Sequence, residues 1–160
     1  MKKEILLTID VPIYYEDDGA HCWFTSNLDI CNDGCGPAHG DDYHQSQTAY
    51  YSGGIEGGKY LNADKDKYIV IPPQIRSQLP GVVMGCLGRA TNKKTGKWFA
   101  GVCGEIGPDD KTGEAAYCLA KKLNPKISYN CGDDAKIYLY EIWPDIPAVV
   151  DGFTYKLQPA

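Results

Sequence analysis

The sequence has few of the features that mark exported, membrane-bound or nucleic-acid-binding proteins. No apolar stretch approaches the length of a transmembrane helix. The first residues, MKKEILLTIDVP, carry two lysines, but Glu4 follows them and Asp10 ends a short apolar run, so we expect no signal peptide here. Lys and Arg total 16 against 21 Asp and Glu, a net charge of -5. Nucleic-acid binding needs clustered cations, and we expect neither a nucleic-acid nor a membrane partner.

Cofactor motifs are also missing. The chain has no Gly-rich phosphate loop, no nucleophile elbow and no dinucleotide fingerprint. The stretch DICNDG begins like a calcium loop, but its twelfth position is Gly40 where a bidentate Glu is needed. Cys31, Cys35, His39 and His44 have a spacing that could bind zinc, although a Cys31–Cys35 disulfide or free thiols are simpler interpretations. We expect no metal and no cofactor.

What the sequence does contain is typical of one globular domain spanning residues 1–160. Hydrophobic residues make up 43% and charged residues 23%, and the length is sufficient for a real core. Seven cysteines are an odd number, so at least one is unpaired within the chain. Tyr, with 12 residues, dominates the aromatics, which is typical either of sugar or peptide grooves or of paired side chains in a β-sheet.

The hydrophobic pattern predicts a mainly β (α+β) fold, a small barrel or sandwich carrying one helix. Ala116, Leu119, Ala120 and Leu123 form one apolar stripe, which predicts a helix over residues 114–123 with Thr112 as N-cap. Residues 28–62 are rich in Gly, Asp, Asn and Ser and predict a long functional loop. Strands are predicted at Glu4–Thr8, Pro12–Tyr15, His21–Thr25, Tyr68–Ile71, Val82–Leu87, Trp98–Val102, Ala135–Trp143 and near Phe153–Leu157.

Two glutamates stand at either end of the turn-rich segment GEIGPDDKTGE. Glu105 follows an apolar strand and Glu114 precedes the helical stripe. Either this segment is an ordinary solvated connection, or the two carboxylates face one another across a substrate.

Four stretches, in order, resemble the fungal-type chitosanases of glycoside hydrolase family 75. They are SNLDICNDGCGP, DDYHQSQTAYY, KYLNADKDKYIVIPP and GEIGPDDKTGEAAYCLAKKL. The resemblance covers roughly Phe24 to Leu123. It implies endo-acting, inverting hydrolysis of chitosan, a β-1,4-linked glucosamine polymer. Related polysaccharide hydrolases imply a six-stranded-type barrel, which we expect to be double-psi-like.

The resemblance also implies a catalytic carboxylate pair. The family's glutamate falls on Glu114, and its aspartate falls on Glu105, where this sequence departs from the family. The departure keeps the carboxyl but moves it by about one methylene, and catalysis tolerates such misplacement poorly. A position in the first helical turn would favour ionised Glu114 as the base and Glu105 as the acid, although burial or a neighbouring carboxylate could reverse this. Glu114 could also simply stabilise the helix.

Other polar residues in the matching stretches are candidates for binding a cationic amino-sugar polysaccharide. Gln47 and Thr48 could contact sugar hydroxyls, but we expect them to hold the loop. Asp29 and Asp33 could also cap turns. Four aspartates could pair with the protonated amines of glucosamine: Asp29, Asp33, Asp41 and Asp42.

The family resemblance implies an extracellular enzyme. Without a leader, the chain instead fits a phage or effector protein that is made in the cytoplasm and then released or delivered, with an amino-sugar polymer such as de-N-acetylated peptidoglycan as substrate. The departure at Glu105 keeps open a third hypothesis, a catalytically inactive binding protein for amino sugars or a small ligand. Oligomeric state is not predicted.

Overall fold

The computed structural model describes residues 2–34 and 45–159, and it is mainly β. The two helices within these ranges are α1 (Pro73–Gln78) and α2 (Tyr117–Leu123). The strands within these ranges are β1 (Lys3–Thr8), β2 (Pro12–Glu16), β3 (Cys22–Cys31), β4 (Tyr68–Ile71), β5 (Cys86–Asn92), β6 (Trp98–Ile106), β7 (Glu114–Ala116), β8 (Asp133–Pro147), β9 (Val149–Val150) and β10 (Phe153–Thr154).

Six of the strands close into a barrel. Their order is β3-β7-β4-β6-β5-β8, and β8 pairs back with β3. The β3–β7 and β4–β6 pairs are parallel, and the other barrel pairs are antiparallel. Strands β1 and β2 extend the sheet beyond β3, and β9 and β10 form a separate hairpin. The closed barrel confirms the predicted six-stranded mainly β fold, while the double-psi topology stays a prediction.

Burial follows the pleat of the barrel strands. In β3 the side chains of Cys22, Phe24, Ser26 and Leu28 are buried and their neighbours are less so, a period of two that separates the inside of the barrel from the outside. Strand β4 reads Tyr-Ile-Val-Ile and is buried on both faces. A strand covered on both sides needs a continuous apolar run, which is why this segment was recognisable in the sequence.

The predicted helix over residues 114–123 is corrected at its start. Residues Glu114–Ala116 form β7, which pairs with both β3 and β4, and the helix begins at Tyr117. Thr112 does not cap it, because its side chain donates a hydrogen bond to Asp10 Oδ1 and lies 2.9 Å from Ser26 Oγ. Propensity favoured a helix here, but completing the barrel required a strand.

Three further differences have local causes. Val82 and Cys86 donate backbone hydrogen bonds to residues three positions earlier, so the apolar run predicted as a strand over residues 82–87 is mostly a turn, and β5 starts at Cys86. Strand β3 continues through Cys31, into the predicted loop. Helix α1 was not predicted, although Pro73 at its first turn is a recognised start signal.

Across residues 2–34 and 45–159, no helix has both the length and the apolar character needed to cross a bilayer.

Candidate active site

A row of three carboxylates crosses four adjacent barrel strands. Asp29 on β3 pairs with Glu114 on β7, Glu114 pairs with Val70 on β4, and Val70 pairs with Glu105 on β6. Laterally paired residues project to the same face of a sheet. Neighbouring strands lie about 4.8 Å apart, so the backbones at Glu105 and Glu114 are about 9.5 Å apart, with β4 between them.

This row opens into a pocket of about 310 Å³. Both glutamates that the sequence singled out line it, together with Asp33 from the end of β3. Val70 forms part of its floor, between the two glutamates. The full lining is Cys31, Asp33, Gln45, Val70, Glu105, Ile106, Gly107, Pro108 and Glu114.

Glu105 is held on the deep side of the pocket and is only 8% exposed. Its Oε1 accepts hydrogen bonds from the backbone N–H groups of Ala49 and Ile106, both at 3.0 Å. Its carboxyl lies beside that of Asp33, with one oxygen of each within 4.8 Å of the other. Burial and, next, the neighbouring Asp33 carboxyl raise the pKa of Glu105 from 4.5 to about 8, although the two backbone donors oppose the rise.

Glu114 occupies the first position of β7. The turn before it depends on Gly113, whose φ of 91° is left-handed and whose added Cβ would lie 2.5 Å from Asn27 O. Burial is the largest influence on Glu114 and raises its pKa to about 7. The Lys111 ammonium lowers that pKa, and the nearby Asp29 and Asp33 carboxylates raise it. Because Glu114 lies on a strand, the expected effect of a helix N-terminus on its charge is absent.

The two other aspartates of the site differ in their surroundings. Asp29 accepts a hydrogen bond from Asn27 Nδ2 at 3.2 Å, and its Oδ2 lies 3.7 Å from Lys111 Nζ. Its side chain is 32% exposed, so it can meet a ligand at the rim. Asp33 accepts a hydrogen bond from the Gln45 backbone N–H at 2.8 Å, and its carboxyl lies beside that of Glu105.

The remaining predicted binding residues lie apart from this pocket or outside the described chain. Thr48 is buried, its hydroxyl donates to Tyr50 O at 2.7 Å, and it accepts from Leu61 N–H at 3.1 Å. These bonds hold its loop together and leave no sugar contact for the hydroxyl. Gln47 is exposed and does not line the pocket. Asp41 and Asp42 lie outside the described residues.

One group in the pocket has the composition of a metal-ligand set. The Cys31 thiol and the Asp33 and Glu105 carboxylates place one potential ligand atom each within 4.8 Å of one another. Tyr68 O–H lies 3.3 Å from Cys31 Sγ and donates to Asp33 O at 2.9 Å. Burial raises the pKa of Cys31 well above its ordinary value, so this thiol keeps its proton at neutral pH unless a bound cation displaces it. Cys35, His39 and His44 of the sequence-level zinc hypothesis lie outside the described residues.

Sequence reasoning missed three contributors to the site. Gln45 supplies the backbone donor that holds Asp33, Lys111 supplies a cation beside Asp29 and Glu114, and Cys31 lines the pocket. Lys111 lies between the two glutamates in the sequence, and this position could have indicated that its side chain belongs to the site. Nothing in the local sequence indicates that Gln45 acts through its backbone.

Chemically, the pocket offers two carboxyls on opposite sides of a gap, both with a raised pKa. One can deliver a proton while the other accepts one near neutral pH, which is the requirement for general acid–base catalysis. Comparison of the chain with protein-family models and with curated protein sequences gives no match.

Proposed function

We propose that the protein is an endo-acting, inverting glycoside hydrolase that cleaves a β-1,4-linked glucosamine polymer such as chitosan. The observation that carries this proposal is the placement of Glu105 and Glu114 on the two strands that flank β4, with both residues lining one pocket. Neighbouring strands lie about 4.8 Å apart, so one intervening strand separates the two backbones by about 9.5 Å. The proposal requires the two carboxyls themselves to lie about 6.5–9.5 Å apart, which leaves room for a water molecule.

The reaction needs one carboxylic acid and one carboxylate. The acid protonates the glycosidic oxygen as its bond to the anomeric carbon breaks and the electron pair moves to that oxygen. The carboxylate takes a proton from a water molecule, whose oxygen bonds to the anomeric carbon on the opposite face. The net change is the addition of one water molecule across the bond, with inversion.

The charge of the pocket supports an amino-sugar substrate. Asp33, which lines the pocket beside Glu105, and Asp29, which lies next to Glu114 outside the pocket lining, add negative groups to the two glutamates. Lys111 is balanced by Asp29. Protonated amines of glucosamine would form charge-assisted hydrogen bonds with these carboxylates. N-acetylated sugars carry no such charge, so we expect a preference for deacetylated polymers.

One observation favours a second candidate, an inactive amino-sugar binding protein. Glu105 Oε1 is engaged by two backbone N–H groups, and its carboxyl also lies beside that of Asp33. A carboxyl with so many partners has less freedom to reach a glycosidic oxygen. Binding without cleavage would follow if these bonds persist when a polymer is bound.

The test is cleavage of fully deacetylated glucosamine hexamer and, separately, of purified de-N-acetylated peptidoglycan. Glu114→Gln removes the charge with little change in size, and we expect it to lower the cleavage rate by about 10²–10⁴-fold. Asp110→Asn is the matched control, because Asp110 is an exposed carboxylate in the same connection and does not line the pocket. The control should cleave like wild type, and ¹H NMR of the first products should show the α-anomer.

The outcomes separate the hypotheses. Cleavage of the hexamer that depends on Glu114 supports the proposal, and cleavage of peptidoglycan alone keeps the chemistry and changes the polymer. Binding of the hexamer by wild type without any cleavage would reject the hydrolase and support the binding protein. A β-anomeric product would reject inversion.

A further inference from the structure

We propose that Asp10, in the turn between β1 and β2, is a positioning residue for Glu114 and acts through Thr112. Asp10 precedes Thr112 by 102 residues in the chain, and it does not line the pocket. Its effect on cleavage rests on the proposed hydrolase function. Whether it holds the turn that leads into Glu114 can also be tested without any substrate.

The Asp10 carboxylate holds Thr112 by both its backbone and its side chain. The Thr112 N–H donates to Asp10 Oδ1 and Oδ2 at 3.2 and 3.1 Å, and the Thr112 hydroxyl donates to Oδ1 at 2.8 Å. Hydrogen bonds to an ionised acceptor are shorter and stronger than those between neutral groups. Because two groups of one residue bind the same carboxylate, the backbone and the side-chain torsion of Thr112 are fixed together.

Thr112 is also tied to the barrel. It is only 3% exposed, and its hydroxyl oxygen lies 2.9 Å from Ser26 Oγ on β3. The Ser26 hydroxyl lies 3.1 Å from Asn27 Oδ1, and the Asn27 amide donates to Asp29 Oδ1 at 3.2 Å. A continuous set of hydrogen bonds therefore runs from Asp10, in an exposed turn, to Asp29 at the site.

Only Gly113 separates Thr112 from Glu114, so a shift of Thr112 is transmitted to Glu114. The Gly113 carbonyl accepts the Asp29 N–H at 2.7 Å. An added Cβ at Gly113 would lie 2.4 Å from Asn27 Oδ1, so this turn packs directly on β3. Asp10 thereby determines where the backbone enters β7, whose first residue is Glu114.

The Glu114 carboxyl has little room to compensate for a shift of its backbone. An added Cβ at Gly107, where the same connection begins, would lie 3.1 Å from Glu114 Oε2. Residues 107–113, all of which the structure describes, form neither helix nor strand, so this connection depends on its anchors. At one end the Gly107 N–H donates to Ile71 O at 2.9 Å, and at the other end Asp10 holds the chain.

The expected consequence is a slower chemical step. A general acid or base acts only within hydrogen-bond reach of the proton that it moves. A shift on the order of 1 Å in such a group can cost about 10²-fold in rate. Because Asp10 does not line the pocket, its loss should lower the rate of cleavage and leave substrate binding almost unchanged.

The first test is hydrogen exchange of the free protein, measured by NMR. In Asp10→Ala, the Asp29 N–H should exchange at least about 10-fold faster, because its acceptor, Gly113 O, is no longer held in place. The Val102 N–H, which donates to Lys67 O elsewhere in the barrel, is the internal reference and should change less. Unchanged protection of Asp29, or an equal change at both amides, would overturn the positioning role.

The second test is the kinetics of hexamer cleavage. Asp10→Ala should lower kcat by about 10–10²-fold and change KM by less than about twofold. Asp10→Asn keeps an oxygen acceptor for Thr112 and should recover most of that loss. Asp133→Ala is the matched control, because Asp133 also accepts from a backbone N–H, that of Ala135, and from a hydroxyl, that of Tyr138, but does not line the pocket. Its kcat should stay within about twofold of wild type.

Variants of Thr112 test the contact itself. Thr112→Ser keeps the hydroxyl and should cleave like wild type, whereas Thr112→Val should lose part of the activity. Adding Thr112→Val to Asp10→Ala should cost little more than Asp10→Ala alone, because the two residues act as one unit.

The outcomes separate this role from a general loss of stability. A kcat of Asp10→Ala equal to that of wild type or of Asp133→Ala would overturn the proposal, and so would additive losses in the double variant. Equal activity of Thr112→Ser and Thr112→Val would overturn it even if Asp10→Ala failed to fold. If wild type cleaves nothing, the proposed function fails, whereas hydrogen exchange still decides whether Asp10 holds the turn before Glu114.

Discussion

Glu105 and Glu141 are two almost equally buried glutamates, 8% and 6% exposed, on different strands of the same barrel. Glu141 on β8 is compensated by cations: Arg89 Nε and Nη2 donate to its Oε1 at 2.9 and 2.8 Å. His21 Nε2 lies 2.9 Å from its other oxygen. Within residues 2–34 and 45–159, the influences on Glu105 include no cation and no histidine, and the charged group among them is the Asp33 carboxyl. The two sites show the same residue type in a charge-compensated and in an uncompensated environment.

The surroundings of Glu141 extend this difference. The His21 ring is stacked between Trp23 and Trp143, with centroids 4.8 and 4.9 Å away, and the Arg89 guanidinium lies 5.2 Å from the Trp143 ring centroid. These flat groups cover one another and orient the cations towards Glu141. A paired charge in a packed network contributes to stability, whereas an uncompensated buried carboxyl costs stability and is poised for proton transfer.

Exchanging each glutamate for glutamine should separate the two environments most clearly. Glu105→Gln should lower hexamer cleavage by about 10²–10⁴-fold while the protein stays folded, because the proposed reaction needs both carboxyls. Glu141→Gln should leave cleavage within about twofold but lower the free energy of unfolding by about 1–2 kcal/mol, because Arg89 and His21 lose their anion. Cleavage rates and urea unfolding measure both effects, and equal loss of activity in the two variants would remove the distinction.

The second largest expected effect is on the pH dependence of the free energy of unfolding. Glu105 has a pKa of about 8 in the fold and an ordinary value of 4.5, so the native state keeps a proton that the unfolded chain has lost in this range. Stability should therefore fall as the pH rises from about 4.5 to about 8, and the penalty is complete above that range. Glu105→Gln, which stays neutral, should be more stable than wild type by up to about 5 kcal/mol at pH 9 and equal to it near pH 4.

Chemical denaturation at several pH values measures this difference. Glu141→Gln is the comparison variant and should not gain stability at alkaline pH. A constant difference between Glu105→Gln and wild type at all pH values would show that Glu105 does not carry the proton.

The smallest effect concerns the one cation near Glu114. The Lys111 side chain is 52% exposed and lowers the pKa of Glu114. Lys111→Met should raise that pKa above about 7 and move the acid limb of cleavage to higher pH by about 0.3 units, a small shift because solvent screens the charge. Lys126→Met, an exposed lysine elsewhere, is the charge-matched control. A shift of the same size in both variants would show that the change in net charge, rather than a local interaction with Glu114, moves the acid limb.

Local sequence was sufficient to predict an element whose structure depends mainly on its own residues. The run Tyr68–Ile71 was predicted as a strand and is β4 with the same bounds, because a short, fully apolar, β-branched run has few alternatives. The number of strand-like runs predicted a small barrel or sandwich carrying one helix, and the resemblance to polysaccharide hydrolases implied the barrel. Thr48 and Glu105 were recognised as residues of interest, but their hydrogen-bond partners come from distant parts of the chain.

Where a segment was compatible with two kinds of secondary structure, its contacts with distant parts of the chain determined which one formed. Glu114 fitted the first turn of a helix by propensity, but its backbone completes the ladder between Asp29 and Val70. The apolar residues before Cys86 fitted a strand, but Val82 donates to Leu79 O within a turn. Met84 and Gly85 bond to distant residues, with Gln158 N–H donating to Met84 O and Gly85 N–H to Cys103 O. Propensity is a weak preference, and closing a barrel involves many more hydrogen bonds than one helical turn.

The sequence by itself determined which groups can titrate and which strands can form, since side-chain chemistry and the period of apolar residues are local properties. The residues alone left open whether Glu105 and Glu114 share one site, and the family resemblance predicted that they do. Only the tertiary structure decided that Asp33 reaches Glu105, that Arg89 reaches Glu141, and what protonation state each environment favours. The reason is physical: a pKa depends on burial and on neighbouring charges, and both are set by residues far away along the chain.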